Sequence, residues 1–320
     1  MSVETAFDGA RVIVTGGAGF IGSHLAEVLA GSGARVTVID SLESGNAANV
    51  SGVDGLHFEA LDIADREAVA NVIRAFDPQY VFHFAANASV PRSVEDPDHD
   101  FDANVVGTYN VFRACRRIEG LRKVVFASSA AVYGEPSELP IRETTPLRPI
   151  SPYGFSKLAS EQVLHCHRDV YGVPAVAARI FNAYGPRMAR FVILDFLRKL
   201  AGDPKALTVL GSGRQVREFI YVRDAVSAFL HLAVSGEPGD AYNVSGGKPI
   251  SILELAERLI AARGLTGRCT VLTTGESWVG DAQQWMTDTA KLRGLGFTPS
   301  WSLDDGIAQT IAWFDREIAR

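Results

Sequence analysis

Residues 11–29 read "RVIVTGGAGFIGSHLAEVL" and hold the pattern that decides the fold. A short β-branched run leads into Gly16, Gly19 and Gly22, which are three residues apart and open a run with helical spacing. After a strand, the first glycine permits a tight turn, the second lets the backbone approach a pyrophosphate, and the third lets the helix pack closely on the sheet. Free N–H groups at the start of such a helix bind a diphosphate. The stretch therefore predicts a dinucleotide-binding strand, turn and helix.

The end of the second predicted strand supports the same site. Asp40 lies about 20 residues after the glycines, where an acidic side chain accepts hydrogen bonds from an adenosine ribose. The following "SLESG" (41–45) contains no Arg or Lys to bind a 2′-phosphate, which favours NAD over NADP. Asp62 ends the third predicted strand, and we expect it to lie beside the adenine with Ile63.

Short apolar strands alternate with helical segments through the first half of the chain. The predicted strands cover residues 11–15, 35–39, 56–61, 80–84, 123–127 and 175–180. Several are apolar throughout, as expected of parallel strands that helices cover on both faces. We therefore expect an α/β fold with a doubly wound parallel (Rossmann) sheet.

After about residue 181 the alternation weakens, which predicts a smaller C-terminal α/β lobe that binds substrate. The predicted NAD-binding Rossmann domain covers residues 1–181 and is joined by about 218–250. Residues 182–320 are predicted to form mainly the substrate-binding lobe. A ligand cleft is expected between the two parts, beyond the carboxyl ends of the strands.

The composition excludes several other classes of protein. The 320 residues are 47% hydrophobic and 21% charged, with a formal net charge of −6, so a basic nucleic-acid surface is not expected. No apolar stretch reaches the ~18 residues of a membrane span, and the N-terminus does not read as a secretion signal. The three cysteines are far apart, so neither a disulfide framework nor a metal site is predicted. We expect a cytoplasmic protein.

The segment "SPYGFSK" (151–157) carries the predicted reacting groups. Tyr153 and Lys157 are four residues apart and therefore on one face of a helix. A free tyrosine has a pKa near 10, about three units too high for a base at neutral pH. A nearby ammonium and a nicotinamide cation favour the phenolate, so we expect Lys157 to lower the pKa of Tyr153.

Further motifs extend along the chain: "HFAANASV" (83–90), "NVVGTYNV" (104–111), "SSAAVYG" (128–134), "RIFNAYGPR" (179–187) and "GRQVREFIYVRDAV" (213–226). On these motifs nearly the whole chain resembles the extended short-chain dehydrogenase/reductase family, and within it the NDP-sugar epimerases of the UDP-glucose 4-epimerase type. The resemblance implies that NAD takes a hydride from sugar C4 and returns it to the other face after the 4-keto sugar has turned over. It also implies a homodimer, paired through helices around residues 100–117 and 152–170.

The resemblance implies a role for each matching residue. Tyr153 is the acid/base, Ser129 hydrogen-bonds the same sugar oxygen, and Lys157 tunes Tyr153 and holds NAD. Besides Tyr153 and Lys157, the implied cofactor residues are Gly16, Gly19, Phe20, Ile21, Gly22, Asp40, Ser41, Asp62, Ile63, Phe84, Ala85, Ala86, Asn104 and Phe181. Besides Ser129, the implied substrate residues are Asn182, Thr208, Leu210, Arg217 and Asp281.

Two alanines decide between related chemistries. Sugar-nucleotide 4,6-dehydratases carry an Asp-Glu pair directly after the serine or threonine, because eliminating water needs an acid and a base. This chain has Ala130 and Ala131 at those positions, and neither can exchange a proton. The resemblance therefore favours reversible oxidation and reduction at C4.

One departure from the family leaves the substrate open. Relatives usually carry an "RPGD" run whose arginine binds the diphosphate, whereas this chain reads "ESWVGDAQQW" (276–285), with Trp278 in place of the arginine. A UDP-hexose is the expected substrate. A GDP-hexose, a UDP-glucuronate or a UDP-N-acetylhexosamine remains an alternative, as do a dehydratase or reductase and a non-catalytic NAD-binding protein.

Overall fold

The structure is a computed structural model that describes residues 3–275 and 284–317. Its strands are β1 (Arg11–Thr15), β2 (Arg35–Asp40), β3 (Leu56–Ala60), β4 (Tyr80–His83), β5 (Lys123–Ser129), β6 (Ala175–Ile180), β7 (Asn182–Tyr184), β8 (Ala206–Val209), β9 (Val216–Tyr221), β10 (Ala241–Val244), β11 (Pro249–Ser251) and β12 (Thr270–Thr273).

The α-helices are α1 (Phe20–Gly31), α2 (Arg66–Phe76), α3 (Val90–Glu95), α4 (Pro97–Phe101), α5 (Gly107–Cys115), α6 (Pro152–Tyr171), α7 (Val192–Gly202), α8 (Val222–Ser235), α9 (Ile252–Ala262), α10 (Ala290–Arg293) and α11 (Leu303–Glu317). A π-helical turn, Asp102–Val106, joins α4 to α5, and a 3-10 turn, Ala130–Tyr133, follows β5.

Seven strands form one parallel sheet in the order β10-β6-β5-β4-β1-β2-β3. Its central strands are mainly apolar and buried because helices cover both faces: α1 and α8 pack on one, and α2, α5 and α6 on the other. The predicted doubly wound α/β class is confirmed. The strand order reverses between β1 and β4, and ligands bind at such a reversal.

The other five strands and the helices α7, α9 and α11 form a smaller lobe around a second apolar core. Its sheets are β11-β9-β7 and β12-β8. Apolar side chains of α7, α9 and α11 pack together against them. The strand β7 begins only two residues after β6 ends, so the chain passes directly from the large sheet into this lobe beside the carboxyl ends of the parallel strands.

Candidate active site

A cleft of about 1380 Å³ lies between the carboxyl edge of the large sheet and the smaller lobe. A site for one small molecule usually occupies about 300–1,000 Å³. The cleft is therefore large enough for two ligands end to end. Both the glycine turn after β1 and the segment Ser128–Ser129 at the end of β5 line it.

The glycine turn brings two backbone segments closer than side chains would allow. Gly16 has φ +67°, and a Cβ placed there would lie 2.5 Å from the backbone nitrogen of Ala85, which follows β4. A Cβ on Gly22 would meet the carbonyl oxygen of Gly16. The N-cap residue of α1, Gly19, makes no side-chain capping bond, and the first turn of the helix lines the cleft. This cradle fits a dinucleotide diphosphate.

Asp40 holds the loop around the predicted ribose position. Its carboxylate accepts hydrogen bonds from the backbone N–H of Ala18 at 2.9 Å and of Leu42 at 2.8 Å, and the residue lines the cleft. Glu43, in the same loop, pairs with Arg92 of α3. The Nε2 atom of His99, on α4, lies 3.3 Å from the carboxylate of Glu43. The preference for NAD over NADP rests on the absence of Arg and Lys in residues 41–45. That basis is incomplete, because Arg92 is remote in the chain but lies beside this loop in the fold.

Most of the sequence-predicted cofactor residues line one continuous end of this cleft. They are Gly16, Gly19, Phe20, Ile21, Gly22, Asp40, Ser41, Asp62, Ile63, Phe84, Ala85, Ala86, Tyr153, Lys157 and Phe181. The residues present therefore fit NAD.

Asn104 lies behind this lining, in the π-helical turn. Its buried amide donates to the backbone carbonyl of Asn87 at 3.1 Å, to Asp100 at 3.1 Å and to the hydroxyl of Ser156 at 2.9 Å. Asn104 thus braces α6, which carries Tyr153 and Lys157.

At the reacting end, Ser129 and Tyr153 form a hydrogen bond. Tyr153 is buried, and its own backbone N–H donates to Ser93 of α3 at 3.1 Å. Burial raises the pKa of the phenol, while the bond with Ser129 and the charge of Arg190 act in the opposite direction. The protein groups alone therefore raise the pKa of Tyr153, which differs from the expected lowering because desolvation dominates.

Lys157 is fully buried one turn along α6. Its ammonium donates to the carbonyl of Ala127 at 2.9 Å and lies 6.0 Å from the centroid of the Tyr153 ring. Burial lowers the pKa of Lys157 to about 8, and the charges of Asp100 and Glu161 oppose that shift. The lysine is held by the backbone of β5 rather than by direct contact with the phenol.

Arg190 is a cleft residue that the sequence reasoning missed. It is half-buried just before α7, its charge interacts favourably with Tyr153, and it is repelled by Arg92. The next residue, Phe191, has φ +83°, which is strained for an aromatic residue. The centroid of its exposed ring lies 5.5 Å from the guanidinium carbon of Arg190. A sequence does not show this strained backbone, so sequence reasoning did not select the pair.

The smaller lobe supplies the opposite wall of the cleft. Asn182 lines it while donating to the carbonyl of Glu218 at 2.9 Å, and the nearly buried Arg217 donates to the carbonyl of Val216 at 2.8 Å. Leu210 is 56% exposed and also lines the cleft. Thr208 does not line it.

Trp285 is a second residue that the sequence reasoning missed. It lines the cleft, and the guanidinium of Arg217 lies 5.1 Å from its ring centroid. Arg187 also lines the cleft, and it pairs with Glu27 of α1 at 2.5 Å. Trp278 and the predicted substrate residue Asp281 lie outside the described residues.

Across residues 3–275 and 284–317, no cluster of three or more His, Cys, Asp or Glu side chains is arranged to hold a metal ion. Within the same ranges, every helix is too short or too polar to cross a membrane.

Comparisons with known proteins agree with this geometry. The model of the NAD dependent epimerase/dehydratase family matches residues 12–245. A UDP-glucose 4-epimerase of Mycolicibacterium smegmatis is 35% identical over 314 residues, which cover 95% of this chain and 98% of that protein. The solved UDP-glucose 4-epimerase of Thermus thermophilus, in complex with NAD, has a TM-score of 0.87 at 35% identity and covers 96% of this chain and 100% of its own.

A further solved structure carries a different sugar. The UDP-N-acetylglucosamine 4-epimerase from Methanobrevibacter ruminantium, in complex with UDP-N-acetylmuramic acid, has a TM-score of 0.89 at 32% identity. The match covers 97% of this chain and 100% of that chain.

Proposed function

The chain belongs to the NAD-dependent epimerase/dehydratase family, and from that premise we propose that it is a 4-epimerase of UDP-hexoses of the UDP-glucose/UDP-galactose type. The observation that carries the proposal is the position of Ser129, Tyr153 and Lys157 where the dinucleotide end of the cleft meets the lobe that bears Arg217. A sugar C4 placed there lies within reach of both the phenol and the cofactor.

The chain's own residues account for the proton transfers. Tyr153 takes the proton of the C4 hydroxyl as that carbon is oxidised and returns it when the carbonyl is reduced. Ser129 hydrogen-bonds Tyr153 and orients the same oxygen, and Lys157 supplies a fixed positive charge nearby. Bound NAD supplies reversible hydride acceptance at C4. The cofactor therefore ends each cycle in the form in which it began.

The segment after Ser129 argues against elimination. Ala130 is buried and Ala131 lines the cleft, and neither carries a group that exchanges protons. A 4,6-dehydratase needs an acid and a base there. The 4-keto sugar is therefore expected to turn over in the cleft and to be reduced on its other face.

Arg217 is proposed to bind the diphosphate, because its planar guanidinium suits phosphate oxygens and lies in the cleft lining beside the Trp285 ring. A UDP-N-acetylhexosamine is the second candidate substrate. The similarity to the Methanobrevibacter ruminantium UDP-N-acetylglucosamine 4-epimerase supports it.

A panel of nucleotide sugars, each incubated with the purified protein and separated by chromatography, tests the proposal. We expect UDP-glucose and UDP-galactose to interconvert without accumulation of NADH, and Tyr153→Phe to abolish turnover while retaining NAD. Conversion of the N-acetylhexosamine pair alone would select the second candidate. Steady formation of NADH, or full activity of Tyr153→Phe, would contradict the assignment.

We also propose a cytoplasmic homodimer. Five apolar side chains at the end of α4 and on α5 and α6 are more than a third exposed. They are Phe101, Tyr109, Phe155, Val170 and Tyr171. His167 contacts both Tyr109 and Tyr171, so part of this set forms one surface, which suits a second copy of the chain. Three free cysteines fit a reducing compartment.

A further inference from the structure

Glu161 is a buried carboxylate that the proposed reaction does not use. It lies one turn after Lys157 on the same face of α6 and is 1% exposed. Ser128, at the end of β5, donates its hydroxyl hydrogen to this carboxylate at 2.5 Å. Ser128 directly precedes Ser129, which carries a catalytic hydroxyl. The hydrogen bond to the Ser128 side chain therefore ties Glu161 to the segment that positions Ser129.

Arg179 completes the contact from the neighbouring strand. It stands opposite Ser128 in the β5–β6 register and donates to the two carboxylate oxygens of Glu161 at 3.0 and 2.7 Å. Both side chains of this ion pair are almost completely buried. Replacing such a pair by apolar residues is often neutral or stabilising, so stability alone does not explain its presence.

Arg179 also contacts the far end of the 3-10 turn that follows Ser129. Arg179 donates to the phenol oxygen of Tyr133 at 2.9 Å, and Tyr133 donates to Asn243 of β10 at 2.7 Å. Tyr133 ends the 3-10 turn that contains Ala130 and Ala131. The segment from Ser128 to Tyr133 is therefore bonded at both ends to one buried polar network.

The charge of Glu161 also acts on Lys157. Burial lowers the pKa of that lysine to about 8, while Asp100 and then Glu161 raise it. Four titratable groups act on or lie near Lys157. They are Asp100 on α4, Tyr153 and Glu161 on α6, and His83 on β4. Burial lowers the pKa of His83 to about 3, so it stays neutral.

We propose that Glu161 is a positioning residue of this active site: it holds the backbone of Ser129 through Ser128, and its charge keeps Lys157 an ammonium ion. The activity readout of this inference rests on the proposed epimerase function. Since the lysine is charged below its pKa and neutral above it, activity that needs the ammonium is lost as the pH rises through about 8. Removal of the Glu161 charge moves that loss to lower pH.

Glu161→Gln tests the inference, because it keeps the shape and an acceptor for Ser128 while removing the charge. We expect the alkaline limb of the kcat–pH profile to move down by about one pH unit, with little change in KM. That shift lowers kcat about fivefold near pH 8 and approaches tenfold at more alkaline pH. Glu161→Asp retains the charge and should keep the limb near its original pH. The double variant Glu161→Gln/Arg179→Gln leaves no unpaired buried charge and should still shift the limb.

Asp224→Asn is the matched control for a buried carboxylate. Asp224 accepts bonds from the backbone of Ser300 and Trp301, away from Lys157, so its loss should lower the melting temperature without moving the limb. Wild-type kcat and an unshifted limb in both Glu161→Gln and the double variant would overturn the inference.

An NMR titration of the isotope-labelled protein measures the pKa of Lys157 directly and needs no substrate. The Lys157 signal is identified by its loss in Lys157→Met. We expect its pKa to fall in Glu161→Gln and to stay constant in Asp224→Asn; an unchanged pKa in Glu161→Gln would contradict the electrostatic role. If no nucleotide sugar is epimerised, the proposed function fails, and this titration still decides the role of Glu161.

Discussion

Burial at the reacting end of the cleft acts on each titratable group separately. It raises the pKa of Tyr153 and lowers that of Lys157, so it disfavours the charged form of both. The protein opposes these shifts with Arg190 at the phenol and with Asp100 and Glu161 at the lysine. A tyrosine–lysine spacing in a sequence does not show these shifts, because burial depends on the whole fold and both Arg190 and Asp100 come from remote segments.

Arg190 gives the residue-scale prediction. Arg190→Gln removes a cation that favours the Tyr153 phenolate and lines the cleft. A change of one unit in the pKa of the phenol corresponds to about 1.4 kcal/mol, so kcat/KM for the nucleotide sugar should fall by up to ~10-fold. Steady-state kinetics measure this.

Arg35→Gln is the control for that change. Arg35 is exposed at the start of β2, at the opposite edge of the sheet from the cleft, so its loss should leave kcat/KM unchanged. Equal kinetics of Arg190→Gln and the wild type would remove Arg190 from the site.

At the scale of elements, the turn between β1 and α1 makes the cofactor end. Gly16→Ala would place a Cβ 2.5 Å from the backbone nitrogen of Ala85 at a positive φ, so β1 and the segment after β4 must move apart. We expect the variant to lose bound NAD and to melt at a lower temperature. Absorbance of the released nucleotide and thermal unfolding measure the two effects.

Gly31→Ala is the matched glycine control. Gly31 ends the same helix, and a Cβ there meets nothing within 4 Å. Alanine should be neutral or raise the free energy of unfolding by about 0.4–1 kcal/mol, with NAD content unchanged. If Gly16→Ala behaves like Gly31→Ala, the glycine turn is not the cofactor cradle.

The elements that contact the cofactor end could be predicted from local patterns. The glycines after β1, Asp40 at the end of β2 and the segment Phe84–Ala86 after β4 all follow apolar strands, and parallel strands bring their carboxyl ends to one edge. Trp285 and Arg92 could not be predicted this way. Trp285 reaches the cleft lining, and Arg92 reaches Glu43, through long-range packing, and nothing in their flanking residues marks them.

At the scale of the whole molecule, the site exists only because two lobes meet. The large sheet supplies the cofactor end and the proton-transfer groups, and the smaller lobe supplies Arg217, Asn182 and Leu210. We therefore propose that the smaller lobe determines which nucleotide sugar enters. This is the part of the site that sequence motifs predicted least, because its lining combines short strands with segments far apart in the chain.

The proposed homodimer predicts a change in mass. Phe155→Glu places a charge on an exposed apolar position of α6 and should shift the protein from dimer to monomer in light scattering coupled to size exclusion. Leu272→Glu, at an exposed position of β12 in the smaller lobe, should leave the mass unchanged. A wild-type protein that is monomeric at all concentrations would contradict the dimer.

The return of the same hydride to C4 is tested most directly with UDP-galactose that carries deuterium at that carbon. The protein is incubated with this substrate, and the product is analysed by mass spectrometry and NMR. We predict UDP-glucose that retains the deuterium at C4, with no free reduced cofactor. Loss of the deuterium from C4, its appearance in released NADH, or a 4-keto-6-deoxy sugar as product would contradict the account.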